Sequence, residues 1–129
     1  MEQFYLDTPK EGFIDITAKV KEMVKRSQIR QGICQVFIPH TTAGVTINEN
    51  ADPDVVTDML AALEHMVPKL PFRHIEGNSP AHVKSTLVGC SISVPVADNN
   101  LLLGTWQGIY FCEFDGPRTR KVFVQVVGV

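Results

Sequence analysis

Apolar residues alternate with polar ones over most of this chain, and the alternation is broken by three segments with helical spacing. Phe4 to Leu6 and Phe13 to Ile16 read as short strands, after which Thr17 can cap a helix with Val20, Met23 and Val24 on one side. Gly32 ends that region. Ile33 to Ile38 is apolar on both faces apart from Gln35, which predicts a strand with little solvent contact, stopped by Pro39. Gly44 to Ile47 reads as a further strand leading into Asn48-Glu49-Asn50. The clearest helix runs from Asp52 to about Val67: Asp52 suits the N-cap and Pro53 the first helical position, while Val55, Val56, Met59, Leu60 and Leu63 fall on one stripe. A third helix is predicted from Ser79, with Pro80 at its first and His82 at its third position, ending near Gly89. The remainder is strand-like: Ser91 to Val96, Leu101 to Leu103, Gly108 to Phe114 and Val122 to Val127, with turns at Asp98-Asn99-Asn100 and Asp115-Gly116-Pro117. Strands outnumber helices and follow no regular βαβ order. The expected class is therefore α+β, a single compact domain over residues 1–129 with mixed sheets and about three helices.

A chain of 129 residues can bury roughly two thirds of its unfolded surface, so a single core is expected without disulfides. The three cysteines, Cys34, Cys90 and Cys112, form no CxxC pair and lie in apolar or strand-like contexts, which fits a reducing cytoplasm. Met1 to Asp7 lacks a basic segment followed by an apolar run, and no stretch approaches the roughly 20 apolar residues of a membrane span. A net charge of −2, with acids and bases interspersed, offers no extended basic face for a nucleic acid.

Chemistry is concentrated in the histidines. His40, His74 and His82 sit beside turn-forming or helix-starting residues, where imidazoles can converge on a ligand, whereas His65 shares the polar side of its helix with Asp54 and Asp58. Three imidazoles and an open position would suit a catalytic, zinc-like divalent metal, with Glu49 or Glu76 as fourth ligand or general base; loop hydrogen bonding is the alternative, since no HExxH arrangement is present. The helix start after Gly77-Asn78-Ser79 is equally suited to a phosphate. Thr41 and Thr42 offer hydroxyls, or simply hydrogen-bond the turn. Arg118, Arg120 and Lys121 cluster after a turn and can hold phosphate or remain solvated. Trp106, between two glycines and beside Gln107, either anchors packing or lines a pocket in which Gln107 orients a polar ligand.

Ser93-x-x-Val96 followed by Leu103-Gly104-Thr105-Trp106-Gln107-Gly108-Ile109, with His40-Thr41-Thr42-Ala43 and Gly77-Asn78-Ser79-Pro80-Ala81-His82-Val83-Lys84-Ser85 upstream, closely resembles the YjbQ family, also called UPF0047. The resemblance spans nearly the whole chain. It implies a compact α+β subunit, usually a homotrimer, with His40, His74 and His82 as metal ligands in a pocket at or near subunit contacts. Many relatives carry an acidic residue where this chain has Pro80, so Glu49 or Glu76 would have to replace it if that carboxylate has a role. Family members look like weak thiamine phosphate synthases, which couple hydroxymethylpyrimidine diphosphate to thiazole phosphate and release pyrophosphate. On that footing the start of the His82 helix, with Arg118 and Arg120, would hold phosphates, and Trp106 would face the pyrimidine. Magnesium is the usual partner of a diphosphate, whereas three imidazoles favour zinc. A hydrolase acting on a small phosphorylated or amide-containing metabolite, and a non-enzymatic metabolite-binding trimer, are the alternatives.

Overall fold

The structure, a computed structural model, describes residues 1–129. Its elements in chain order are β1 (Glu2–Asp7), β2 (Gly12–Asp15), α1 (Thr17–Ser27), β3 (Gly32–Phe37), β4 (Ala43–Glu49), α2 (Pro53–Met66), α3 (Ser79–Val88), β5 (Ser91–Ala97), β6 (Asn100–Leu101), β7 (Gln107–Glu113) and β8 (Thr119–Gly128). The fold is α+β with three helices. The strands form a five-stranded sheet, β1-β8-β3-β5-β6, and a three-stranded sheet, β2-β7-β4. Every pairing is antiparallel.

The two sheets face one another across a core that the alternating residues fill: Cys34 and Val36 of β3, Val94 and Val96 of β5, Val122 and Val124 of β8, against Val45 of β4 and Ile109 and Phe111 of β7. The apolar stripe of α1, Val20, Met23 and Val24, closes this core. Since β7 is the middle strand of its sheet and is covered on both faces, all of its residues from Gly108 to Glu113 are buried. Its other face presents Tyr110 and Cys112, which pack with Phe114 and with Ala81 of α3.

Helix starts differ in detail from the sequence reading. Asp15 precedes α1 and accepts the Thr17 N–H at 2.9 Å as well as its hydroxyl, so Ile16 occupies the N-cap. Thr17 is thereby turned inward, where its Oγ1 accepts the Ile109 N–H at 2.8 Å. In α3 the N-cap is Asn78, one residue before the Ser79 expected, and its side chain makes no cap bond. Helix α2 begins as read, with Asp52 Oδ1 accepting the Asp54 N–H at 2.9 Å and Pro53 opening the first turn. Asp52→Ala should cost about 1 kcal/mol, measurable as a lower urea midpoint with an unchanged slope.

Two surfaces remain uncovered. Helix α2 has no fully buried residue, although Val56 and Leu63 pack against the smaller core cluster. The outer face of the large sheet exposes Tyr5, Ile33, Phe37 and Val127, with Phe37 and Phe123 stacked at 6.4 Å. No helix is long and apolar enough to cross a membrane.

Candidate functional site

The end of the core nearest the β3–β4 connection is closed by an ion pair instead of an apolar residue. Glu113, at the end of β7, is fully buried on the same face as Ile109 and Phe111 and cannot be left unpaired there. Arg120, facing inward from β8, meets it side-on: Nε donates to Oε1 at 2.7 Å and Nη2 donates to Oε2. Thr8 also donates to Oε1, and the Asp115 N–H donates to Oε2 at 3.0 Å. Burial pushes the Glu113 carboxyl up, but hydrogen bonds from Arg120, Thr8 and Asp115 outweigh it and hold the group below its ordinary value. Nη2 of Arg120 donates as well to Thr42 Oγ1 at 2.9 Å. Only Nη1 of the guanidinium lacks a partner in the chain.

Above this pair opens a pocket of about 400 Å3 with no hydrophobic residue in its lining. Three segments build it. The β3–β4 connection brings Pro39, His40, Thr41 and Thr42; the loop after α2 and the start of α3 bring His74, Glu76, Asn78 and His82; the β7–β8 turn brings Asp115, Arg118 and Arg120. His74 and His82 face each other edge-on, with ring centroids 5.4 Å apart and planes at 85°. Glu76 Oε1 lies 3.9 Å from His74 Nε2. Asn78 Nδ2 donates to Asp115 Oδ2 at 2.9 Å, and Arg118 Nη2 donates to the same oxygen at 3.0 Å. Burial pushes Asp115 up, yet these two donors leave it below its usual range. Fixing Nδ2 leaves Asn78 Oδ1 buried with no donor.

The three histidines share this pocket, but their nitrogens are not gathered into one donor set. No three His, Cys, Asp or Glu side chains are placed to hold one ion, and Nε2 of His40 is taken by the Lys121 N–H at 2.9 Å. His40 is held below its ordinary value, first by burial and then by the charge of Arg120, which favours the neutral ring. The donor set therefore does not fit the three-imidazole ion that the sequence reading expected.

Glu49, Trp106 and Gln107 lie elsewhere. The β4–β7 register pairs Ala43 with Glu113 at the pocket end and Glu49 with Gln107 at the other, so these residues are separated by the length of the sheet, about 20 Å. There the Gln107 side chain accepts the Gly104 N–H at 2.8 Å, the Trp106 carbonyl accepts from Asn50, and the indole is 64% exposed. His65 is exposed on α2. Asp115 on the pocket wall and Glu113 beneath it are not singled out by the sequence, where Asp115 reads as a turn residue and Glu113 as part of the strand Gly108 to Phe114; a lone carboxylate in that apolar run is the available signal.

Comparison with known proteins gives the same answer along the whole chain. A family model described as "UPF0047 protein YjbQ-like" matches residues 2–129. A UPF0047 protein of Methanocaldococcus jannaschii is 51% identical over 120 residues, covering 92% of this chain and 87% of that protein. The UPF0047 protein YugU of Bacillus subtilis is 51% identical over 124 residues, covering 94% and 93%. The crystal structure of an uncharacterised YjbQ/UPF0047 protein from Clostridium acetobutylicum superposes with a TM-score of 0.95 at 52% identity, covering 98% of this chain and all of that one. A protein of unknown function from Sulfolobus solfataricus superposes at 0.94 with 32% identity, covering 99% and 96%. The chain belongs to the YjbQ/UPF0047 family.

Proposed function

We propose that the polar pocket binds a small phosphorylated metabolite and catalyses substitution at the carbon bearing its phosphate or diphosphate. The observation that carries this reading is the buried Arg120, immobilised by Glu113 and Thr42 but with Nη1 unpaired, in a pocket whose lining is polar or charged apart from Pro39. A guanidinium already fixed in place loses little freedom when it takes up a phosphate oxygen. Thr41, Thr42 and Arg118 add donors around it. His74 and His82 are the proton-transfer pair, with Glu76 beside His74.

Thiamine phosphate synthesis is one member of this reaction class. The carbon–oxygen bond to the diphosphate of the hydroxymethylpyrimidine breaks, pyrophosphate leaves with the electron pair, and the thiazole nitrogen forms the new carbon–nitrogen bond. Within one subunit the pyrimidine would have only imidazole rings beside it, because Trp106 is at the far end of the sheet. The test is to incubate the protein with the diphosphate, with and without thiazole phosphate, and to measure pyrophosphate and product. Pyrophosphate released only when both substrates are present supports the transferase. Orthophosphate released from phosphate esters, and lost in Glu76→Gln, would identify a hydrolase instead. Saturable binding with no turnover of any phosphorylated compound would leave a binding protein.

We also propose a homotrimer in the cytoplasm, supported by the two uncovered apolar surfaces and by three free thiols. Light scattering should return three times the 14.3 kDa chain mass, and Ile33→Asp with Val127→Asp should return the monomer. A monomeric unaltered protein at micromolar concentration would rule the trimer out.

A further inference from the structure

The hydrogen bonding of His40 gives its two ring nitrogens different tasks. In the β3–β8 ladder Phe37 stands opposite Phe123, so two residues further on Pro39 stands opposite Lys121. Beyond β3 the backbone no longer serves that position, and the His40 side chain takes over: Nε2 accepts the Lys121 N–H at 2.9 Å. A nitrogen that accepts carries no proton, so the neutral ring holds its hydrogen on Nδ1. Nδ1 has no acceptor in the chain, and it is not enclosed, since Asn78 Oδ1 is the one buried polar side-chain atom without a partner. Arg120 precedes Lys121 directly, so a single stretch of β8 fixes both the imidazole and the guanidinium at the pocket.

We propose that His40 Nδ1–H and Arg120 Nη1–H form a paired donor cradle for the oxygens of a phosphate group, and that His40 is an anion-binding donor and not a metal ligand. This assignment rests on the reading of the pocket as a phosphate site. Metal ligation through Nε2 would take the lone pair that satisfies the Lys121 amide. Ligation through Nδ1 would move the proton to Nε2 and set two N–H groups against each other. Either way a cation would sit beside the Arg120 charge, where the field favours an anion.

The experiment is two-bond proton–nitrogen correlation on protein labelled with 15N-histidine, first alone, then with inorganic phosphate, then with zinc. The expected result is a pyrrole-type Nδ1 and a pyridine-type Nε2 for His40, an Nδ1 that moves with phosphate, and neither nitrogen moving with zinc. Two variants separate the roles: glutamine can keep an acceptor near Nε2 but loses the Nδ1 donor, whereas asparagine can keep a donor near Nδ1. His40→Gln should weaken phosphate binding about tenfold or more, and His40→Asn less. An Nε2–H tautomer in protein that still binds phosphate would overturn the cradle and leave the phosphate site standing. Zinc moving both His40 nitrogens would overturn the assignment in favour of a metal ligand. Failure of the unaltered protein to bind phosphate would overturn the phosphate reading, and the cradle with it.

Discussion

Replacing Arg120 with methionine should lower stability by about 3–5 kcal/mol, because it leaves the fully buried Glu113 without its charge partner. For a domain of this size that is a fall of roughly 10–20 °C in melting temperature. The loss comes from the stranded carboxylate, not from missing attraction alone, and a second variant separates the two. Arg120→Met combined with Glu113→Leu should recover much of the stability, since an apolar pair of similar volume needs neither partner nor solvent. Equal melting temperatures for the single and double variants would show that Glu113 does not depend on Arg120. The pair also sets an acid limit. The folded pKa of Glu113 is depressed, so its contribution is fully present above the ordinary carboxylate value and is lost as pH falls through the depressed folded value. Unaltered protein should therefore lose stability in acid more steeply than the double variant, as thermal melts across the acid range would show.

His82→Ala should reduce turnover by about 10²- to 10⁴-fold, the range expected when a positioned proton donor or acceptor is removed. His74→Ala should behave similarly, because the two rings are in edge-on contact. His65→Ala is the matched control, an exposed imidazole on α2 that touches nothing in the pocket. A fall in kcat with little change in KM would place His82 in the reacting step; a rise in KM alone would make it a binding group. Full activity in His82→Ala would remove the imidazole pair from the chemistry.

Much of the fold was legible because its signals were local. Asp52-Pro53 marks the start of α2, Pro39 the end of β3, and the apolar run Gly108 to Phe114 the strand β7. The start of β8 was not legible, because Thr119-Arg120-Lys121 is polar and charged; it forms strand by pairing with Asp7, Leu6 and Tyr5 of β1, residues far away in sequence. That miss hid the central feature of the site. Read as a solvated turn cluster, Arg120 gave no sign of facing inward, and only the register that puts it beside Glu113 shows why an arginine is tolerated there. The histidines converge on one pocket as their loop positions suggest, yet the tautomer of His40 is set by a partner outside the motif, the Lys121 amide. Trp106 and Gln107 stand out in sequence for the glycines around them, yet Gly104 belongs to the β6–β7 connection, where its N–H bonds Gln107, and Gly108 to β7, where a side chain would meet Asn50.

Seating of a phosphate group on Arg120 between the imidazoles is open to titration calorimetry with a phosphate monoester. Binding should saturate at one site per subunit, weaken in both His40→Gln and Arg118→Gln and stay unchanged in His65→Ala. Absence of binding to the unaltered protein, or equal affinity in all of the variants, would contradict it.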